Sequence, residues 1–459
     1  MNITFKIYHN LEHCILLTVL LFFITSCSQN PDPSTSNQPE KPNIIILLAD
    51  DMGYGDLSVQ GHPAIRTPNI DQLASEGIRF TSFQTAVWCV PSRTQLMTGR
   101  YMPRVNFGGG TGSDGDGGLP DSEVTLAEGL KDAGYSTGMV GKWHLGYKED
   151  RFLPPNQGFD SWFGLPYSND MIKPWVQTDE PLGFYRGTEM VEHPINQDSL
   201  TVRYTEEAVA FIEGHANGEQ PFLFYLGYAM PHLPVRTTEE FRGSSRAGLY
   251  GDVIETIDWS VEQILAKLNE MGISENTIVF FASDNGPWLN LPDRMLQDGN
   301  LPWHAGSSGH LRGSKATTYE GGSRVPAMIR WPAQIDPNQV TDQLVGMPDI
   351  YRTMMEIGGA TLPDHTLDGY DLTSFLTGES ETSPRNEYAY FRYGVLEAIR
   401  IAEWKLRVIE EEPQLFNMQD DPGERFNRAG DHPEIVENIR QRMIQLAEEV
   451  GSELPTQNP

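Results

Sequence analysis

Apolar runs of strand length alternate with segments of helical period along most of the chain. Residues 43–49 (NIIILLA) are continuously apolar, and helical patterns follow over 67–76 and 125–133. STGMVG (136–141), PFLFYLGY (221–228), TIVFFA (277–282) and residues 324–329 read as further strands. Helical patterns over 199–215, 250–271 and 347–357 separate or follow them. Strands without polar alternation are buried on both faces, so this order predicts an α/β fold with a large, mostly parallel sheet sandwiched by helices. From about Glu387 the rhythm changes. EYAYFRY, LEAIRIAEWKLRVI and QLFNM are closely spaced strand candidates without helices between them, and residues 433–450 close the chain as a helix. That pattern predicts a smaller C-terminal antiparallel sheet plus helix.

The N-terminal pattern is of another kind. Lys6 precedes CILLTVLLFFI (14–24), an apolar run of h-region length that is too short to span a bilayer. ITSC (24–27) resembles a bacterial lipobox, which makes Cys27 a lipidation site; a secreted chain cut near Ser26, with Cys27 incidental, is the other reading. SQNPDPSTSNQPEKP follows as a Pro- and Ser-rich tether. The organisation expected is a signal peptide (1–26), a tether (27–41), a catalytic domain (42–380) and a C-terminal subdomain (381–459), in a protein exported to the cell envelope.

Charge narrows the partners. The 459 residues carry 63 acidic and 33 basic side chains, a net charge of −30. Such a surface does not bind nucleic acid, whose phosphates need clustered Lys and Arg. An anionic substrate would instead need a locally positive pocket.

Polar residues collect at the strand ends. IIILLADDMGYGD puts Asp50 and Asp51 after the first strand, and IVFFASDNGP puts Asp284 and Asn285 after a later one. Each pair alone could be a turn or cap. Both together, converging at one sheet edge, would make an all-oxygen site suited to Ca²⁺, or less well Mg²⁺, rather than zinc. KWHLG places Lys142 and His144 after STGMVG, two residues apart and on one face if extended. His232 follows another strand, and His310, Arg312 and Lys315 lie in a Gly-rich loop. Placed beside the acids, these groups suggest an anion pocket next to a cation. The glycine-rich stretch 107–121 lacks the strand-to-helix setting of a phosphate cradle and reads as a rim loop. Trp162, Trp288 and Trp303 are candidates to stack on sugar, each weighed against ordinary core packing.

One cysteine is left over. Cys14 departs with the signal and Cys27 would carry lipid, so Cys89 has no disulfide partner in an oxidising compartment. In CVPSRTQLMTGR (89–100) it opens a short helix that Gly99 stops. On helix physics alone this is an activated thiolate, yet a thiolate beside a hard, oxygen-bound cation is a poor match.

The set resembles the formylglycine-dependent sulfatases of the alkaline-phosphatase-like superfamily. The signature C-x-P-S-R-x-x-x-M-T-G-R is matched from Cys89 to Arg100, with ADDMGYGD, GKWHLG, MPHLPV, ASDNGP and LRGSKATTYEGG in family order. The resemblance implies that a maturation enzyme oxidises Cys89 to formylglycine, whose hydrate attacks sulfur, and that Asp50, Asp51, Asp284, Asn285 and the modified Cys89 ligate Ca²⁺. It further implies that Arg93, Lys142 and Lys315 hold the sulfate, that His232 and Lys315 serve the leaving oxygen, and that His144 takes a proton to release sulfate. Ser168 and His310 are expected at the substrate. Ser314 and Ala316 stand where relatives commonly have glycine. The reading is a sulfuric ester hydrolase acting on a sulfated carbohydrate such as ulvan, carrageenan or glycosaminoglycan fragments. A formylglycine-dependent phosphonate or phosphodiester hydrolase and a non-catalytic glycan-binding lipoprotein are the alternatives.

Overall fold

The computed structural model describes residues 41–409 and 412–455. The export signal, Cys27 and all but the last residue of the tether lie outside the described residues. Residues from Lys41 onward form one compact unit. In chain order its strands are β1 (Asn43–Ala49), β2 (Ile78–Phe80), β3 (Phe83–Gln84), β4 (Ser136–Gly141), β5 (Ser161–Gly164), β6 (Phe184–Arg186), β7 (Glu189–Glu192) and β8 (Phe222–Gly227). There follow β9 (Thr277–Ser283), β10 (Ala327–Arg330), β11 (Gln339–Thr341), β12 (Val345–Gly346), β13 (Glu387–Arg392), β14 (Val395–Ile401), β15 (Trp404–Ile409) and β16 (Glu412–Asn417). The α-helices are α1 (Pro68–Ser75), α2 (Cys89–Thr98), α3 (Leu126–Asp132), α4 (Leu200–His215), α5 (Gly248–Glu270), α6 (Glu320–Ser323), α7 (Met347–Ile357), α8 (Thr373–Leu376) and α9 (Pro433–Val450).

Among the described residues, ten strands form one sheet in the order β11-β2-β10-β9-β1-β8-β4-β5-β6-β7. Its centre, β9-β1-β8-β4-β5, is parallel throughout. The flanking pairs β10–β9 and β5–β6 are antiparallel. Strand β1 shows why its run is unbroken. Ile44, Ile46 and Leu48 pack under α2, α3 and α7, while Ile45, Leu47 and Ala49 pack under α1, α4 and α5. With a period of two, every residue of a doubly covered strand meets a helix layer.

The alternation of the sequence therefore becomes a sheet between two helical layers, as expected, with a separate antiparallel sheet β13-β14-β15-β16 at the C-terminus. LEAIRIAEWKLRVI is two strands rather than one: the chain turns at Ala402, which takes φ 51°, and Trp404 pairs back with Ile401. Helix α9 covers this sheet through Ile439, Met443, Leu446, Ala447 and Val450.

A buried charge cluster ties the small sheet to the loop that carries Lys315. Lys405 on β15 lies 2.8 Å from Glu320 and 3.0 Å from Glu424, with all three side chains sealed from solvent. Burial alone would raise the Glu320 carboxyl, but Lys405, Arg324 and Arg400 hold it down at about 2. Removing the lysine leaves two carboxylates facing each other in the dry. Lys405→Met is expected to lower stability by about 3–5 kcal/mol, read from urea unfolding. Adding Glu320→Gln and Glu424→Gln to that variant should recover part of the loss.

Candidate active site

Register brings the strand ends together. Ala49 of β1 pairs with Ser283 of β9, so Asp50 and Asp284 leave the sheet side by side. Across the other edge of β1, Leu48 pairs with Gly227, which also pairs with Gly141 of β4. Lys142 and His144 therefore emerge beside the acids, and His232 follows β8 to the same end. This is the carboxyl edge of a parallel sheet, where such folds bind ligands.

Helix α2 adds its N-terminus to this edge. Cys89 is its first residue, and Arg93 lies one turn further along the same face. Gly99 ends the helix at φ 68°, a left-handed C-cap. The Cys89 sulfur is buried 3.3 Å from Asp50 Oδ1, 3.9 Å from Asp51 Oδ1 and 3.4 Å from Lys315 Nζ. Burial first, then Asp284 and Asp50, push its thiol pKa well above the usual value. The activated thiolate expected from helix position is thus overturned: two carboxylates and the loss of water outweigh a helix terminus.

The three carboxylates are matched by three cations. Lys142 Nζ donates to Asp50 Oδ2. Lys315 Nζ donates to both Asp51 oxygens, at 2.6 and 2.8 Å. Arg93 donates to Asp284 Oδ2 through Nε and Nη2, at 3.1 and 3.0 Å. Asp50 is held well below the carboxylate range, since Lys142, His232 and Arg93 overcome its burial. Burial and the Asp50 charge push Asp284 up to about 7.

Arg93 departs from its expected role. Its third nitrogen, Nη1, donates to the Lys142 carbonyl at 2.7 Å and to Tyr225 Oη at 3.1 Å. Every side-chain nitrogen is therefore engaged by the protein, and Arg93 braces Asp284 and the Lys142 backbone instead of facing the cavity. His310 also departs. It is exposed, set edge-on to Tyr54 at 5.6 Å, and is absent from the cavity lining. Lys142 and His144 are not consecutive extended positions, because His144 adopts φ 64°. Both still reach the site.

A cavity of about 810 Å³ opens over Cys89, and His144, Ser168, His232 and Lys315 line it. The His232 Nδ1–H donates to the Leu233 carbonyl at 2.6 Å. That leaves Nε2 toward Ser168 Oγ at 3.4 Å and Asp51 Oδ2 at 3.6 Å. Ser168 Oγ also lies 3.3 Å from Lys142 Nζ. Burial, Lys142 and Arg93 keep His144 well below its usual pKa, and its Nδ1 has no partner among the described residues.

The donor set fits a hard divalent cation. Asp50, Asp51, Asp284 and Asn285 supply oxygens only, and Asn285 Oδ1 is buried without a partner among the described residues. Ligand atoms of Asp50, Asp51, Cys89 and His232 lie within 4.8 Å of one another.

Sequence reasoning missed most of the cavity wall. Trp88, Phe107, Met171, Arg294, Phe391 and Tyr393 line it together with Trp288. Phe107 and Thr111 place the glycine-rich stretch on the rim. Of the other tryptophans, Trp162 is buried and stacks on Tyr185, and Trp303 is 70% exposed away from the lining.

The family model Sulfatase matches residues 42–360, and the model N-sulphoglucosamine sulphohydrolase, C-terminal, matches residues 310–449. The chain is 37% identical to an N-acetylgalactosamine-6-sulfatase of Mus musculus, across 90% of this chain and 86% of that one. It is 35% identical to Arylsulfatase A of Homo sapiens, across 89% of this chain and 88% of that one. Among solved structures, it is similar to Ps i-CgsB in complex with k-i-k-neocarrahexaose, with a TM-score of 0.77 and 27% identity over 89% of this chain and 93% of that one.

The bracing position of Arg93 has a measurable consequence. Arg93→Met should lower turnover and also destabilise the fold by about 3–5 kcal/mol, because Asp284 is left buried without its partner. A guanidinium that only gripped substrate would raise KM and leave the unfolding midpoint where it was.

Proposed function

The chain belongs to the sulfatase family, and from that premise we propose that it hydrolyses sulfate esters on sulfated polysaccharide or oligosaccharide, using formylglycine made from Cys89 and a bound Ca²⁺. The observation that carries this reading is the placement of the Cys89 sulfur: buried under a large cavity, against two carboxylates and a lysine, with no disulfide partner among the described residues. A residue there is committed to chemistry, since burial among unlike charges gives nothing to packing.

The donor set favours oxygen at that position as well. Oxidised and hydrated, residue 89 would supply an oxygen nucleophile, and Asp50, Asp51, Asp284 and Asn285 would hold the Ca²⁺ whose charge would lower that hydroxyl's pKa. The chain's own groups do the rest. Lys315 Nζ and Lys142 Nζ sit next to the carboxylates and furnish charge for the sulfate oxygens, worth several kcal/mol in a site closed to water. His232, its ring fixed by the Leu233 carbonyl, presents Nε2 as the point from which a proton reaches the departing alcohol oxygen. Lys315 Nζ stands beside it for the same oxygen. His144, buried and neutral, has an Nδ1 without a partner among the described residues, placed to take a proton when the sulfate leaves. Ser168 Oγ orients the sulfate between Lys142 and His232.

The substrate class rests on three supports. One relative is named for N-acetylgalactosamine 6-sulfate and one similar structure holds a neocarrahexaose. The cavity is far larger than a sulfate group and is walled by aromatic side chains. Export through the N-terminal signal, with lipidation of Cys27 as the anchor, would place the enzyme in the envelope, where such polymers are met. The maturation enzyme is the implied protein partner.

Mass spectrometry of the peptide carrying Cys89, from cells that also express a maturation enzyme, should show conversion to the aldehyde, with activity proportional to the converted fraction. Activity from wholly unconverted thiol would refute the mechanism. Asp284→Ala should reduce hydrolysis of an aryl sulfate more than about a hundredfold and abolish its response to calcium after chelation. A panel of defined sulfated oligosaccharides, scored for free sulfate beside an aryl sulfate and a phosphodiester, identifies the substrate.

A further inference from the structure

The turn between β13 and β14 breaks a local rule at the rim of the catalytic cavity. Arg392 pairs with Val395, so two residues make the turn, Tyr393 at φ 50° and Gly394 at φ 81°. Positive φ at both central positions is the pattern of a type I′ hairpin, whose first position belongs to Asn, Asp or Gly. A bulky side chain there is a genuine outlier that costs backbone energy. The tyrosine also gains little from burial: at 73% it is the most exposed of the large apolar side chains among the described residues. Local propensity and burial both argue against Tyr393, which makes a role beyond the folded chain a reason for keeping it.

Its surroundings indicate what. Tyr393 lines the same cavity as Cys89. Its ring lies 5.7 Å from Trp88, the residue before Cys89, tilted by 42°. Lys315 Nζ sits 5.9 Å from that Trp88 ring and 3.4 Å from the Cys89 sulfur. The Arg392 guanidinium lies 5.1 Å from the centre of the tyrosine ring and is itself placed by Glu397 at 3.6 Å. The sequence of contacts runs outward from the reacting atom: sulfur, lysine, half-buried indole, exposed phenol. A flat aromatic face held in this way is a platform for the CH-rich face of a sugar ring.

Resting on the sulfatase reading above, we infer that Tyr393 is a specificity residue that stacks against the glycan unit next to the sulfated one, so that the enzyme favours oligosaccharide over monosaccharide. The C-terminal sheet then takes part in recognition of the chain, and the hairpin keeps its strained turn because the ring must stand at that point.

Tyr393→Asn tests this cleanly, because Asn is at home at positive φ and the fold keeps or raises its melting temperature. The probes are the sulfated monosaccharide that the wild-type enzyme hydrolyses fastest in the panel, and an oligosaccharide containing the same sulfated unit. The expected result is a loss of about tenfold in kcat/KM on the oligosaccharide, carried by KM, and a clearly smaller loss on the monosaccharide. Tyr393→Trp should restore the oligosaccharide preference. Equal rates on both probes in the wild type, or an equal loss on both in the Asn variant, would overturn the platform while leaving sulfatase activity standing. If an aryl sulfate is hydrolysed and no glycan is, the platform falls together with the glycan reading. If the aryl sulfate is inert as well, the catalytic reading fails first.

Discussion

Three carboxylates, Asp50, Asp51 and Asp284, are set at one strand edge with at most 3% exposure, and much of the surrounding structure follows from the cost of putting them there. Unpaired, each would be neutralised or would unfold the edge. Each is met by its own cation: Lys142 for Asp50, Lys315 for Asp51, Arg93 for Asp284. The three cations come from three separate segments, the β4 end, the loop before α6 and helix α2. Charge balance therefore fixes how those segments sit on the sheet. The Lys315 amide donates to the Pro287 carbonyl and the Ala316 amide to the Val87 carbonyl, which sews this loop between the second acid pair and the start of α2. Behind the loop, the sealed Lys405 cluster fixes α6 to the small sheet. Folding of the C-terminal sheet and correct placement of Lys315 are thus linked through one buried charge.

Holding so many groups at one point also takes unusual backbone. Asp51, His144 and Ala316 all have positive φ without being glycine, at 67°, 64° and 70°. Ala316 is the plainest case, since a left-handed residue suits glycine better than alanine. Strain of this kind persists only where neighbouring contacts over-determine the conformation. Here the ion pairs supply that restraint. The cost falls on loops at the sheet edge, while β1, β8 and β9 behind them remain regular.

The same physics decides what could be read in the sequence. Central strands were legible because burial on both faces leaves an unbroken apolar run, and NIIILLA and STGMVG match their strands end to end. The acids were legible because charge after such a run is costly, and the shared edge followed from parallel register. The short outer strands β5, β6 and β7 carried no such signal; β7 (EMVE) is largely exposed. The turn at Ala402 was invisible because no Gly or Asn marks it. Arg93 could not be assigned from its signature, for its partner Asp284 is 191 residues away and only the fold shows which side of the acid it occupies. The aromatic wall failed for a related reason. Trp88 and Tyr393 are far apart in the chain, and neither has a spacing that announces a shared surface.

The overall charge of −30 and the affinity for an anion are reconciled by geometry. Surface acids act at long range and are screened within about 8–10 Å at physiological salt. The charged groups at the cavity floor are buried and lie within that distance of one another, so their own balance decides what enters. Three carboxylates against two lysines and an arginine leave the floor close to neutral, and a bound divalent cation would make it positive. An anion then gains where the field is strong and unscreened, although the outer surface opposes its approach. A polymer with sulfates at intervals feels that outer repulsion over its whole length. Neutral stacking on the rim offers such a chain attraction that salt and surface charge do not weaken, so a cavity with a charged floor and aromatic walls is the arrangement that an acidic enzyme needs for an acidic substrate.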